Sequence, residues 1–337
     1  MPTLRDLGEI EVLRRLTADR SPAAGVALGP GDDAAVLDPS PGTELVATTD
    51  AFVEGAHYLP AWSAPERTGA RLATANLSDL AAMAATPRWA LLSIGARPES
   101  EVDALLALQR GAEDRLARFG AVVVGGNLTS VSGAEWASLT LLGEVPAGRY
   151  WTRSGARPGD LLAITGSPGR AGAGLALARR LEAGARSPEW QALLDAWLEP
   201  EPRLDLALDL ASTGAVKAAM DVSDGVAQDL ARLCEASGVG AEIATGEWPD
   251  DSELARASHS LGVPLEALRL GPSDDYELVL AVDPKRRAAC EDVAARHGVA
   301  LGFVGRFIEE SGLSVRLAGG EVRALRPKGY DAFEGEG

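Results

Sequence analysis

The sequence predicts an α/β protein of two domains, each built of strands and helices in layers. Three observations carry this. Apolar runs of strand length alternate with longer helical segments along the chain. The 337 residues are too many for one minimal domain and comfortable for two, and a hydrophobic content of 46% supplies a sizeable core. A stretch rich in Gly, Pro and Arg, 146-PAGRYWTRSGARPG-159, interrupts the alternation near the middle. The boundary is placed there, giving domains at 1–148 and 149–337.

The elements follow in order. The opening MPTLRDLGEIEVLRRL is charged throughout and reads as a short amphipathic helix, not a signal peptide. Residues 34-AAVL-37 and 44-ELVATT-49 read as strands. Pro65 opens a helix over 65–85, with Ser63 as its N-cap. A strand over 89–96, a helix over about 99–119, an apolar strand over 121–126 and a strand over 136–145 complete the first domain. In the second, a strand over 160–166 runs into a Gly-rich turn and a helix. Helices follow near 188–212, then a strand over 215–223 and a helix over 224–238 closed by Gly238. A strand over 277–282, a helix over 284–297 and a strand over 300–308 finish the pattern.

Composition removes several functions. A net charge of −17 and a pI of about 4.7 are wrong for wrapping nucleic acid, which needs a basic surface. They leave room for small phosphorylated substrates, because metal ions can bridge carboxylates to phosphates. The expected absence of any run of about 18 apolar residues predicts a soluble, cytoplasmic protein without membrane contact. Cys234 and Cys290 lie in amphipathic stretches and read as packing residues, with neither disulfide nor zinc spacing. The only lysines are Lys217, Lys285 and Lys328, and no G-x-x-x-x-G-K-[ST] occurs, which excludes a P-loop kinase.

What remains is a set of oxygen ligands at predicted strand ends, helix starts and in one helix. They are Asp32 and Asp33 in 29-GPGDDAAVL-37, Thr48-Thr49-Asp50, Asn76 with Asp79, Gly125-Gly126-Asn127-Leu128-Thr129, and Asp221, Ser223 and Asp224. Asp224 sits where it could equally cap a helix, Asp50 where it could serve a turn, and Asp79 where it could pair with an arginine. Asn76 and Asp79 share a helical face with Met83, and within an apolar helix such a pair must meet a partner or water. Jointly, hard oxygen donors without a histidine cluster or cysteine pair are the inventory for Mg²⁺ rather than zinc. Mg²⁺ held by carboxylates points to nucleotide phosphates and to phosphoryl transfer. His57 follows the Asp50 cluster in a loop and can meet a substrate, whereas His259 and His297 read as surface residues of helices.

Taken together, eight stretches resemble the thiamine-monophosphate kinase family, of the superfamily that includes aminoimidazole ribonucleotide synthetase and selenophosphate synthetase. They are 31-GDDAAVL-37, 48-TTDAFVEGAHY-58, 76-NLSDLAAMAA-85, 125-GGNLTS-130, 152-TRSGARPGDLLAITG-166, 220-MDVSDGVAQDL-230, 275-DYELVLAV-282 and 329-GYDAF-333, in family order across nearly the whole chain. The resemblance implies a mixed β-sheet packed with helices in each domain, of the aminoimidazole ribonucleotide synthetase type. It implies ATP-dependent phosphorylation of thiamine monophosphate to the diphosphate, by direct in-line transfer assisted by several Mg²⁺ ions. It also implies a homodimer joined through the N-terminal domains, with the C-terminal domain completing the ATP and substrate site. By motif position, Asp32, Thr48, Thr49, Asp50, Asp79, Asn127, Asp221 and Asp224 would hold metal. Gly126, Asn127, Arg153 and Ser223 would contact ATP, and His57, Asp274 and Tyr330 would lie near the thiamine phosphate. Asp32 is then the metal-facing carboxylate and Asp33 a support for its loop.

Two departures stand out. The family usually has Asp at Asn127, followed directly by threonine, and it has Gly-Gly-Glu-Asp-Tyr-Glu-Leu where this chain has 271-GPSDDYEL-278. The alternative is therefore a diverged paralog that binds Mg·ATP but acts on another substrate or on none. Selenophosphate synthetase itself fits less well, since it needs a reactive Cys or selenocysteine and an early lysine.

Overall fold

Side-chain exposure alternates along Thr43–Val53, the period of a strand with one covered face. That strand belongs to the first of two units in a computed structural model, which describes residues 1–18, 23–181, 188–317 and 319–330. The first unit comprises residues 1–80 and 85–149. It opens with α1 (Leu4–Leu7), α2 (Glu9–Leu16) and a two-stranded ribbon of β1 (Val26–Leu28) and β2 (Val36–Leu37). Then come β3 (Thr43–Val53), α3 (Pro65–Ala82), β4 (Thr86–Ala96), α4 (Val102–Arg118), β5 (Val122–Ser130) and β6 (Trp136–Pro146). The sheet order is β3-β6-β4-β5, with β4 and β5 parallel and the other neighbours antiparallel.

Helix α3 buries the unbroken run Leu72 to Ser78, in which small and apolar residues are joined by Thr74, Asn76 and Ser78. Its polar Asn76 turns inward: Nδ2 donates to the Leu72 carbonyl at 3.0 Å, and Oδ1 is buried without a hydrogen bond. Ser63 does not cap this helix. It stands two residues before Pro65, and its hydroxyl instead accepts from Thr68 Oγ1 at 3.1 Å.

The second unit comprises residues 81–84 and the chain from 150 onward. Its elements are β7 (Leu161–Thr165), α5 (Arg170–Arg180), α6 (Gln191–Leu198), α7 (Leu204–Thr213), β8 (Val216–Asp221), α8 (Val226–Ser237) and β9 (Gly240–Ala244). They continue with α9 (Ser252–Leu261), α10 (Leu265–Leu270), β10 (Leu278–Val282), α11 (Arg287–His297), β11 (Leu301–Ile308), β12 (Gly312–Arg316) and β13 (Val322–Leu325). Seven strands form one sheet in the order β13-β12-β9-β11-β7-β10-β8, parallel only between β9 and β12. Leu162, Ile164, Met220, Leu230, Val279 and Phe307 centre its core.

Several expected boundaries shift. The helices expected near 188–212 are α6 and α7, and they lie on either side of Pro200 and Pro202, which remove backbone donors. Residues 34–37 shorten to the two of β2. The larger change concerns the site. Strand β3 runs past Asp50 to Val53 because β6 pairs with all of it, and β5 runs to Ser130 because β4 does. Thr48-Thr49-Asp50 and Gly126-Asn127 therefore lie inside strands, not at their ends. Across the sheet Asp50 pairs with Leu139, Leu139 with Leu92, and Leu92 with Gly126. Asp50 and Gly126 thus occupy one row at opposite edges, roughly 14 Å apart at three strand spacings.

Candidate functional site

In the first unit the period of two sorts β3 into a face turned to α3 and an open face. Thr48 and Asp50 share one face, and the Thr48 hydroxyl donates to Asp79 Oδ2 of α3. Burial, reinforced by the charge of Asp79, pushes the Asp50 carboxyl up to about 6. Two carboxylates that repel each other, with a hydroxyl beside them, are a donor set whose conflict a hard cation would relieve. The Thr49 side chain turns to the other face, where its hydroxyl meets Thr140 Oγ1 at 3.0 Å.

At the opposite edge, a cavity of about 530 Å³ is lined by Gly31, Asp32 and Asp33 of the loop before β2, by Leu92, and by Gly126 and Asn127 of β5. Gly126 is obligatory there, since a Cβ would stand 1.8 Å from the Leu92 carbonyl oxygen. Asp32 organises its own loop: Oδ1 accepts the Asp33 N–H at 2.9 Å. The support expected from the Asp33 carboxylate comes instead from its backbone.

His57 sits in the turn after β3. The Val53 N–H donates to its Nδ1 at 3.2 Å, so a neutral ring carries its proton on Nε2. The ring stacks on Phe52 at 5.6 Å, and the Arg71 guanidinium lies 5.3 Å from the Phe52 centroid and donates to the His57 carbonyl at 3.0 Å.

In the second unit β8 ends at Asp221 and a tight loop leads to α8. Asp224 does not cap that helix. Asp229, one turn inside α8, reaches back to fasten the loop before the helix: its Oδ2 accepts the N–H groups of Ser223, Asp224 and Gly225 at 3.1, 3.0 and 3.1 Å. Burial is the main cause that lifts the Asp229 carboxyl to about 6, and the Asp224 N–H works against it. Arg232 then bonds Asp224 Oδ2 and Asp229 Oδ1 with the same Nη1. Gly225 adopts φ 116° and ψ 146°, and a Cβ on it would lie 2.1 Å from the Gly271 carbonyl oxygen. The 271–277 segment is therefore seated directly on the Asp224 loop.

That segment is fastened on every side. Ser273 Oγ accepts the Gly172 N–H at 2.9 Å, and Asp275 accepts those of Gly169 and Ala171 at 2.6 and 2.9 Å, closing the N-terminus of α5. Glu277 takes Arg203 on both oxygens, at 2.7 and 2.5 Å, and the Thr165 hydroxyl at 2.6 Å. Tyr276 is held in the left-handed region at φ 54°, a strained state for a non-glycine residue and one that gathers at ligand sites. Asp274 is half-buried between these pinned neighbours. Tyr330 joins them: its N–H donates to the Asp224 carbonyl at 3.1 Å, and its own carbonyl accepts from Gln228 Nε2 at 3.0 Å. Arg153 is exposed on a segment running beside β8, where Ala219 N–H donates to the Thr152 carbonyl at 3.0 Å.

The predicted residues thus fall into groups: Thr48, Asp50 and Asp79; Asp32, Gly126 and Asn127; His57 in its own turn; and Asp221, Ser223, Asp224, Asp274 and Tyr330. Among the described residues no three His, Cys, Asp or Glu side chains gather to hold a metal alone. Mg²⁺ needs no such cage, since it is held by one or two carboxylates together with phosphates and water. Asp229, Arg232, Asp275 and Glu277 were not anticipated. Only Asp229 left a local signal, an acid in a helical first turn.

This combination of folds defines an AIR synthase related protein: the N-terminal domain family matches residues 31–145 and the C-terminal domain family residues 157–318. Within that class, the thiamine-monophosphate kinase of Escherichia coli (strain K12) is 35% identical over 333 residues, spanning 97% of this chain and 98% of that one. The one from Caulobacter vibrioides is 35% identical over 338 residues, spanning 94% and 89%. The chain belongs to the thiamine-monophosphate kinase family. Among solved structures, the thiamine-monophosphate kinase of Stenotrophomonas maltophilia K279a superposes with a TM-score of 0.79 at 30% identity, covering 91% of this chain and 95% of that one. AaThiL complexed with AMPPCP and TMP superposes with a TM-score of 0.77 at 27% identity, covering 99% of both.

Proposed function

We propose that this chain phosphorylates thiamine monophosphate to thiamine diphosphate with ATP, by direct in-line transfer and without a covalent enzyme intermediate. The observation that carries this is the seating of two segments that overlap family motifs, 271–277 and 329–330, on the 221–225 motif loop within the second unit. The relative complexed with AMPPCP and TMP supports the same pair of substrates. Mg²⁺, for which Asp32, Thr48, Asp50, Asp79, Asn127, Asp221 and Asp224 are the proposed side-chain ligands, with Thr49 able to contribute only its backbone because its hydroxyl faces Thr140, would neutralise phosphate charge and align the reacting groups.

The chain's own residues do the rest. The backbone at Gly126 gives a phosphate close approach, and Asn127, Arg153 and Ser223 contact the nucleotide. His57 donates from Nε2 to the substrate phosphate. Asp274 sets a carboxylate against the cationic thiazolium, and Tyr330 supplies a ring beside it. The attacking phosphate oxygen is already ionised near neutral pH, so no general base is needed.

We also infer a homodimer formed through the first domain, with the domain boundary at 148/149. The open face of its sheet exposes Leu45 at 53% and Leu91 at 39%, which favours cover by another surface. No described helix is long and apolar enough to cross a membrane; a cytoplasmic site of action is part of the proposal.

The deciding experiment measures ADP release from Mg·ATP with thiamine monophosphate, thiamine and aminoimidazole precursors in turn, with the product identified by mass. Turnover with thiamine monophosphate alone is expected. Mg·ATP binding without turnover on any of them would favour the second reading, a diverged paralog, for which Asn127 and the altered 271–274 segment speak.

A further inference from the structure

The proposed chemistry leaves one well-placed cation without a task. Arg232 lies on α8, and its Nη1 reaches both Asp224 Oδ2 and Asp229 Oδ1, the latter at 3.0 Å. The two carboxylates are not equivalent. Asp229 is fully buried and its other oxygen is committed to three backbone N–H groups. Asp224 is partly exposed and belongs to the metal set proposed above. The Arg232 side chain is itself 41% exposed, while the fully buried Asp229 anchors its guanidinium from behind.

A guanidinium hydrogen-bonded to a carboxylate oxygen uses a lone pair that a metal would need. It also sets a positive charge within a few ångströms of where a divalent ion must sit. We propose that Arg232 is a resident counter-ion for Asp224, a positioning residue that competes with the metal. It holds the carboxylate in place while the site is empty, lowers the affinity for free divalent cation, and gives way when metal arrives with nucleotide, whose phosphates offset the arginine charge. Free metal then binds weakly and the metal–nucleotide complex binds well, without any change in the ligand set. The proposal rests on Asp224 being a metal ligand.

Both statements are tested by Mn²⁺ titration of the nucleotide-free protein, read as free Mn²⁺ by electron paramagnetic resonance. Asp224→Asn defines the site, as the class of Mn²⁺ binding that it removes. In Arg232→Met that class should bind about tenfold more tightly at low ionic strength, as expected for removal of one adjacent charge. Arg232→Lys should stay within about threefold of the unaltered protein, because it restores the charge. Mere damage to the loop would weaken binding, the opposite sign. Arg232→Gln gives a second neutral variant should the methionine protein melt early. Unchanged or weaker Mn²⁺ binding in the neutral variants, with Asp224→Asn still removing a site, would overturn the counter-ion role and leave the metal assignment standing. If Asp224→Asn removes no site, the metal assignment at Asp224 fails and the counter-ion role fails with it.

Discussion

Gly225→Ala probes whether the Asp224 loop and the 271–274 segment act as one surface. The added Cβ would stand 2.1 Å from the Gly271 carbonyl oxygen, 2.8 Å from its carbon and 3.1 Å from Pro272 Cα. Carbon–oxygen contacts relax only near about 3.3 Å, so the two backbones must separate by about 1 Å. Neither can yield by rotating a side chain, because every clashing atom is backbone. The substitution also forces an L-residue to φ 116°, which adds about 1–3 kcal/mol of strain. That strain should lower the melting temperature by about 3–10 °C. The functional loss should be larger. Asp224 lies on one side of the contact and Asp274 on the other, and a misplacement of about 1 Å costs on the order of a hundredfold in rate. The assay is ADP release against thiamine monophosphate at saturating Mg·ATP, normalised to folded protein by circular dichroism. A kcat/KM within about threefold of the unaltered enzyme would show that the two loops need not touch for turnover.

Two further outcomes are expected. Burial pushes Asp275 up to about 6 from an ordinary 3.8. The folded state therefore binds this proton more tightly, and its contribution to stability falls as pH rises from about 4 to about 6. The full cost, about 3 kcal/mol, is present above that window. Urea unfolding between pH 4.5 and 7.5 should show this slope diminished in Asp275→Asn; an identical slope would show that Asp275 does not titrate there. Asn127→Asp should lower the Mg²⁺ concentration for half-maximal ADP release several-fold, because it adds a charge to the Asp32 cavity. An unchanged Mg²⁺ titration would remove Asn127 from the metal set.

The layers and most of their elements could be read from the sequence because period and punctuation are local. Pro65 opens α3, Gly238 closes α8, and the prolines at 200 and 202 separate α6 from α7. The family could be read because the types and order of the motif residues are themselves the signal. What could not be read is pairing. Nothing within 44–49 says that β6 will extend the strand to Val53 and place Asp50 mid-strand. Nothing near 170 says that α5 will be capped by Ser273 and Asp275, about a hundred residues later. In the Asp224 loop the sequence left a cap and a metal ligand open for Asp224, and nothing local showed that the buried Asp229 would take the loop's backbone donors.

The order of the second sheet bears on how the chain is made. Strand β7, Leu161–Thr165, lies between β10 and β11, whose residues begin at Leu278 and Leu301. On a translating ribosome this apolar strand waits for both neighbours while more than a hundred further residues are added, about seven to thirty seconds at ordinary elongation rates. Throughout that interval its two edges are unpaired, an invitation to the wrong strand. The nascent second domain is therefore a natural client for chaperones, and crowding or a slowed ribosome should harm its yield before it harms that of the first.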